Sequence, residues 1–134
     1  MNKLIFKDIQ TVYYADTDAY SVLWHGASVK WYEKGRVELV KMYGIDAFEL
    51  ERQGIIMPVV ELNVRYKSSA FLADNLIITT EIDEVRASAI TFKHIVSNAD
   101  TEKINIIAYS TVVCVDKSGK LYRKLPEAFA KLKA

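Results

Sequence analysis

The stretch that decides the fold runs from Ala27 to Tyr43 and reads ASVKWYEKGRVELVKMY. Two adjacent, mainly apolar stripes follow helical spacing along it, the first with Val29, Tyr32, Arg36, Val40 and Tyr43 and the second with Trp31, Gly35, Leu39 and Met42. Two neighbouring stripes make a wide buried face, so the pattern predicts a helix that other elements wrap around. Glycine inside a helix costs about 1 kcal/mol relative to alanine, so Gly35 indicates close approach of another backbone or a bulky ring.

The segments outside this helix read mainly as strands. Residues 4–14 predict an early strand, and residues 45–52 predict a short helix that ends at Gly54. Alternation of apolar and polar residues at 62–67 predicts a strand with one solvated face. Three more strands are predicted at 76–85, 89–97 and 104–115, and a weak terminal helix at 126–133. A long helix on one face of an antiparallel sheet is an α+β architecture.

Length and composition restrict the class of protein. The length of 134 residues predicts one domain, 1–134. The composition, with 51% hydrophobic and 26% charged residues, is typical of a globular protein. A net charge of +1 gives no overall field that would attract nucleic acid or an anionic membrane. Cys114 is the only cysteine, which excludes an intrachain disulfide. Apolar runs such as Ile55–Val60 are too short to span a bilayer, and Met1–Gln10 is not a signal peptide, so we expect a cytoplasmic protein.

One connection carries the residues best suited to chemistry. Asp16, Asp18 and His25 lie between the first predicted strand and the long helix. The start of a helix exposes unpaired N–H groups that attract anions and developing oxyanions. An ionised aspartate beside such a start could attack a carbonyl or accept a proton from an attacking water. Taken alone, however, short polar residues between a strand and a helix more often form turns and caps.

An ordered set of motifs covers nearly the whole chain. Its members are Tyr14-Ala15-Asp16-Thr17-Asp18, Trp24-His25-Gly26-Ala27-Ser28, Trp31–Glu38, Ile56–Val60, Val64-Arg65-Tyr66 and Cys114-Val115-Asp116. In this order and at these distances, the set resembles the signature of the hot-dog-fold acyl-CoA thioesterases. It is closest to the YbgC branch and similar to the 4-hydroxybenzoyl-CoA thioesterases. The resemblance implies a five-stranded antiparallel sheet wrapped around a long central helix, in agreement with the predicted elements.

The resemblance also implies roles for the connection. Asp18 falls on the position of the catalytic carboxylate, as nucleophile or general base, and His25 on the catalytic position that opens the helix. Backbone N–H groups at His25 and Gly26 would then polarise the thioester carbonyl, with no metal or cofactor. Asp16 is interpreted as an organiser of the loop, with an electrostatic influence on Asp18 as the alternative. The chain departs from many relatives in having Ala19-Tyr20-Ser21-Val22, without glycine, after the aspartate, and Gly26 after His25.

Substrate-binding residues follow from the same resemblance. Tyr20 would lie at the mouth of the pocket, and the segment Met57, Pro58 and Val59 would line the acyl pocket from a neighbouring subunit. Arg86, Arg123 and Lys124 match basic residues that hold the phosphates of coenzyme A, although surface charges without such a role are an equally good interpretation. Tyr and Ile on both faces of the strands leave more apolar area than one helix covers, so we expect a homodimer, and the family often forms tetramers.

Several alternatives stay open at this level. A non-catalytic hot-dog module that binds acyl thioesters or a partner protein is the main rival, whereas a dehydratase is disfavoured because the His-Phe-Pro signature is absent. Glu33 is a second, less favoured catalytic carboxylate, and we expect it to pair with Arg36. His94 and Cys114 are predicted to be structural. The acyl group, and the choice between coenzyme A and acyl carrier protein, are not predicted.

Overall fold

The computed structural model describes residues 3–133, so the part of the single-domain prediction that concerns residues 1, 2 and 134 lies outside it. Five antiparallel strands form one sheet, and their bounds are β1 Ile5–Thr11, β2 Val59–Tyr66, β3 Asn75–Val85, β4 Ala89–Asn98 and β5 Ile104–Val113. Two α-helices, α1 Val29–Met42 and α2 Ala47–Arg52, separate β1 from β2. The strand order is β1-β3-β4-β5-β2. The predicted α+β hot-dog architecture, a five-stranded antiparallel sheet with a long helix, is confirmed.

Some predicted boundaries were wrong, each for a local reason. β1 ends at Thr11 because Tyr14–Asp16 forms a turn of 3₁₀ helix. The terminal helix predicted at 126–133 is present as a 3₁₀ helix, Glu127–Lys133. The long helix starts at Val29, two residues later than predicted, because residues 25–28 form a separate turn. No helix in the described part of the chain is long and apolar enough to cross a membrane.

The helix α1 packs closely on the sheet at Gly35. It contacts β1, β3 and β4, and it buries Tyr32 and Leu39 completely. A Cβ atom added at Gly35 would lie 2.1 Å from the hydroxyl oxygen of Thr80 on β3. The close approach expected at Gly35 is therefore real, but the neighbour is a threonine side chain and not a backbone or a ring.

A row of polar side chains crosses the core beneath α1. Arg36 donates a hydrogen bond to Ser110 Oγ at 3.1 Å instead of forming the expected ion pair with Glu33. His94 contacts Ser110 Oγ through Nε2 at 2.8 Å and Thr80 Oγ1 through Nδ1 at 2.9 Å, and its ring stacks on Tyr32. Burial, aided by the Arg36 charge, lowers the pKa of His94 to about 3. His94 is thus a neutral structural residue, and Cys114, also fully buried, is part of the core as predicted.

The strand β2 lies at one edge of the sheet and is exposed on both faces. The prediction of one solvated and one buried face was wrong, because α1 packs mainly on β1, β3 and β4, and only Val64 of β2 is half-buried against the core. Val59, Val60, Leu62 and Tyr66 are all exposed. A long, apolar edge strand is an open template for pairing with another strand.

The buried His94 makes stability depend on pH. Between a folded pKa of about 3 and an unfolded value near 6.5, the unfolded chain binds a proton that the folded chain does not. The free energy of unfolding should therefore fall on acidification through this window, by up to about 1.4 kcal/mol per pH unit. Urea titrations at a series of pH values should give a shallower dependence for His94→Gln than for the wild type. Equal slopes would contradict the assignment of a neutral buried imidazole.

Candidate active site

The loop that carries Asp18 is held by its own backbone. Asp18 Oδ1 accepts hydrogen bonds from the N–H groups of Tyr20 at 2.9 Å and Val22 at 3.2 Å. The backbone of Asp18 also bonds the carbonyl of Val22 and the N–H of Ser21, which closes the loop into a compact turn. Asp16 Oδ2 accepts from the N–H of Tyr13 at 2.9 Å, in line with its expected role as an organiser. These contacts leave Asp18 Oδ2 without a hydrogen-bond partner among residues 3–133.

Asp18 and His25 line one cleft of about 400 Å³, here named the Asp18 cleft. Val22 and Leu23 complete the side formed by the loop. The opposite side comes from the end of β2 and the start of β5, and consists of Tyr66, Lys67, Ser68, Ser69, Ala70, Asn105 and Ile106. The two residues that the sequence marks as catalytic therefore line the same cavity, and its opposite side comes from segments far away in the chain.

The turn of residues 25–28 presents unpaired backbone donors beside this cleft. In the described chain, the N–H groups of His25 and Gly26 have no protein acceptor within hydrogen-bond distance. Tyr66 donates its hydroxyl to the carbonyl oxygen of His25, and burial raises the pKa of Tyr66, which keeps this hydroxyl protonated. Because the C=O and N–H of a trans peptide point in opposite directions, the Tyr66 contact also fixes the direction of the Gly26 N–H.

The same turn explains a departure noted in the sequence. A Cβ atom at Gly26 would lie 2.3 Å from the ring of Trp24, so a side chain there would displace the indole. The expectation that His25 opens the helix is corrected, because the first helical residue is Val29. The donors near Asp18 thus belong to a turn that leads into α1 and not to its first helical turn.

Comparison with known proteins identifies the family. The model of the thioesterase-like superfamily matches residues 12–132. The acyl-CoA thioester hydrolase YbgC of Escherichia coli O6:H1 is 34% identical over 128 residues, which cover 96% of this chain and 95% of that protein. The chain belongs to the thioesterase-like superfamily. The predicted enzyme class, a thioester hydrolase, is confirmed at this level.

Other relatives agree with this assignment. The putative acyl-CoA thioesterase YneP of Bacillus subtilis is 31% identical over 111 residues, covering 83% of this chain and 79% of that protein. A DHNA-CoA thioesterase from Staphylococcus aureus superposes with a TM-score of 0.86 at 26% identity, covering 96% of this chain and 91% of that one. An aspartate-to-asparagine variant of 4-hydroxybenzoyl CoA thioesterase, complexed with 4-hydroxybenzoyl CoA, superposes with a TM-score of 0.86 over 97% of this chain and 99% of that one. At 19% identity this similarity supports the fold alone.

Not every predicted site residue of this thioesterase lies near Asp18. The side chain of Tyr20 is 85% exposed and does not line the cleft within one chain. Val59 is the first residue of β2 and follows Met57 and Pro58 directly, whereas Tyr66 is its last residue, about 23 Å from Val59 for seven residue steps. Met57 instead lines a separate cavity of about 230 Å³ between α1, α2 and residues 55–57, and the alternative carboxylate Glu33 lines this second cavity too.

The three basic residues also lie away from the Asp18 cleft. Arg86 is in the turn between β3 and β4, and the adjacent Ala87 accepts a hydrogen bond from the N–H of Leu125, next to Lys124. Arg123 and Lys124 are exposed, as is Arg86, which has Glu84 as a neighbour at 4.0 Å. This end of the sheet is separated from the Asp18 cleft by the length of β4, about 30 Å.

Sequence patterns did not identify two residues of the cleft as site residues. Tyr66 was noted only as part of a motif, and its bond to His25 joins positions 41 residues apart. Asn105 was not singled out, although a lone amide between Ile104 and Ile106 at the start of an apolar strand is a usable signal. Local patterns do not indicate which distant segment such a side chain contacts.

The Asp18 loop contains one backbone conformation that glycine would adopt more easily. Ser21 has a φ of 62°, in the left-handed region, and its side chain forms no hydrogen bond in the described structure. Replacement Ser21→Gly should therefore raise the free energy of unfolding by up to about 1 kcal/mol. The control Ala19→Gly, in the same loop without positive φ, should lower it by about 0.5–1 kcal/mol. Thermal and urea unfolding would contradict this account if both variants shifted in the same direction.

Proposed function

We propose that the protein is an acyl-CoA thioesterase that uses Asp18 against a carbonyl held by the N–H groups of His25 and Gly26. One observation carries the proposal: Asp18 and His25 line the same cleft, and the N–H of His25, like that of the adjacent Gly26, has no acceptor in the described chain. The names of the YbgC and YneP relatives support acyl-CoA as the substrate. In this proposal residues 1–134 act as one domain in the cytoplasm.

The arrangement divides the reaction between the Asp18 carboxylate and the backbone donors of the turn at residues 25–28. Oδ1 of Asp18 is held by two N–H groups, so Oδ2 is the oxygen that is free to react. It either attacks the thioester carbon, forming an acyl-aspartyl anhydride and releasing thiolate, or accepts a proton from a water that attacks instead. In the first route water then hydrolyses the anhydride. Both routes yield a carboxylic acid and a free thiol.

The backbone donors activate the thioester carbonyl toward attack. As the carbonyl oxygen becomes an oxyanion, N–H groups that are already oriented stabilise it without reorganisation, and each such donor typically contributes about a hundred- to a thousandfold in rate. Tyr66 contributes indirectly, because its hydrogen bond holds the peptide that carries the Gly26 N–H. His25 then acts through its backbone, and its exposed imidazole has no assigned proton transfer.

A dimer formed through β2 would complete the site. Antiparallel pairing of two β2 strands places the start of one strand beside the end of the other. Met57, Pro58 and Val59 of a second chain would then lie next to the Asp18 cleft, and Arg86, Arg123 and Lys124 would lie on the same side of that chain. The exposed apolar character of β2 supports this assembly. Tyr20, exposed in one chain, would be free to contact the acyl or pantetheine part of the substrate.

The catalytic role of Asp18 is tested by removing its charge. Asp18→Asn should lower the turnover number by about a thousandfold or more, because the amide neither attacks a carbonyl nor accepts the proton of water. The measurement is thiol release from a panel of short, long and aromatic acyl-CoAs, with an acylated carrier protein as a further substrate. Asp116→Asn is the matched control, since Asp116 Oδ1 also accepts two backbone N–H groups, in a turn away from the cleft.

Three outcomes separate the rival functions. Loss of thiol release in Asp18→Asn with retention in Asp116→Asn supports the mechanism. Equal rates in Asp18→Asn and the wild type would overturn it. Tight binding of acyl-CoA by the wild type without any thiol release would favour the non-catalytic binding module.

The dimer is tested by placing a charge on the edge strand. Leu62→Lys puts an ammonium group in the centre of β2 and should shift the protein toward a monomer while the fold is retained, because an edge lysine opposes strand pairing. Ile9→Lys on β1, the other edge strand, is the control and should leave at least the dimer intact. Light scattering coupled to size-exclusion chromatography measures both. A Leu62→Lys variant with unchanged mass would contradict assembly through β2.

A further inference from the structure

Asn105 occupies an irregular position in β5, at the floor of the Asp18 cleft. Ile104 pairs with Ser97 and Ile106 pairs with Val96, so Asn105 is the extra residue of a β-bulge. A bulge redirects a side chain and is over-represented beside active sites. The side chain of Asn105 is directed to the inside of the protein, and the residue is only 3% exposed.

The amide of Asn105 holds the wall of the cleft that faces Asp18. Its Nδ2 donates to Ser68 Oγ at 3.2 Å and to the carbonyl oxygens of Ser69 at 3.2 Å and Ser68 at 3.5 Å. The backbone carbonyl oxygen of Asn105 accepts from the N–H groups of Lys67 at 2.8 Å and Ser68 at 3.2 Å. Residues 67–69 are therefore attached to β5 through both the backbone and the side chain of one residue.

The orientation of this amide leaves one oxygen unsatisfied. Oδ1 of Asn105 is buried and has no hydrogen-bond partner in the described structure. Rotating the amide by 180° would place Oδ1 against the carbonyl oxygens of Ser68 and Ser69, so the neighbours determine its orientation. A buried acceptor without a partner is unfavourable and rare in folded proteins. An apolar side chain would avoid this defect but would not hold the wall.

The wall is in turn connected to the reacting carboxylate. Ala70, the next residue, accepts a hydrogen bond from the N–H of Leu23 at 2.8 Å. The preceding residue Val22 donates its N–H to Asp18 Oδ1. One continuous path of hydrogen bonds and short backbone segments thus runs from Asn105 through Ala70 and Leu23 to Asp18.

We propose that Asn105 is a positioning residue for thioester hydrolysis: it holds residues 67–70, and through them the Asp18 loop, at the distance that the reaction needs. The inference rests on the proposed role of Asp18. Asn105 does not touch the substrate, and its effect is transmitted by the wall. Small displacements of a reacting group can lower a rate by about a hundredfold, so such a residue acts on turnover rather than on binding.

The test compares two asparagines at the same end of the sheet. Asn105→Leu keeps the size of the side chain and removes its donors. Asn98→Leu is the matched control, because Asn98 caps the neighbouring β4–β5 turn by accepting from the N–H groups of Asp100 and Thr101 and forms no hydrogen bond with residues 67–70. We expect Asn105→Leu to lower kcat for acyl-CoA hydrolysis by about tenfold to a hundredfold with KM changed less than about threefold. Asn98→Leu should keep kcat within about twofold.

A second measurement does not depend on activity. Hydrogen–deuterium exchange should become faster at residues 67–72 and 18–24 in Asn105→Leu and stay unchanged there in Asn98→Leu. A wild type without thiol release would refute the proposed function, and the exchange data would still decide whether Asn105 holds the loop. Unchanged exchange, a rise in KM alone, or an equal loss of kcat in both variants would overturn the inference. Should Asn105→Leu not fold, Ser68→Ala removes one acceptor at the surface and should give a smaller change in the same direction.

Discussion

The close contact between α1 and β3 at Gly35 determines the height of the central helix above the sheet. Any side chain at this position would meet the hydroxyl of Thr80 and push the helix away. Because the helix lies so close, Arg36 and Tyr32 reach the row formed by Thr80, His94 and Ser110, which fills the space beneath it with satisfied polar groups. The turn before the helix is thereby brought level with the end of β2, where Tyr66 can hold it. The position of the candidate oxyanion donors thus depends on a packing contact two helical turns away.

The candidate site is built mainly from backbone groups, and this explains why so few side chains define it. Asp18 is oriented by N–H groups of its own loop, and the candidate oxyanion donors are N–H groups of the following turn. The positions of these backbone groups depend on how firmly their chain segments are held. The side chains that matter most around the cleft, Tyr66 and Asn105, accordingly bond to main-chain atoms of other segments. They attach the turn at residues 25–28 and the segment 67–69 to the sheet.

Features that depend on local interactions could be predicted from the sequence, whereas features that depend on contacts between distant residues could not. The helix and the strands were predicted well because apolar periodicity is a local property, and Asp18 and His25 were found together because they stand in one motif. The order of the strands, with β2 beside β5 instead of β3, depends on contacts that no local pattern encodes. The same holds for Arg36, which bonds Ser110, 74 residues away, in preference to Glu33 on its own helix. The late start of α1 has the same origin, because the turn at 25–28 is held by Tyr66, 41 residues from His25.

The geometry of β2 connects the chemistry to the assembly. One end of this strand borders the cleft with Asp18, and the other end carries the residues expected to contact the acyl group, so a single chain keeps the two parts of the predicted machinery at opposite ends of one edge. A two-fold axis through the middle of an antiparallel strand pair exchanges those ends. The symmetric dimer is therefore the simplest assembly that brings the Asp18 cleft of each chain next to the expected acyl-contacting residues of the other chain. The same contact would cover the apolar edge strand. An edge strand that is a liability in an isolated chain becomes, in such a dimer, the element that completes each active site.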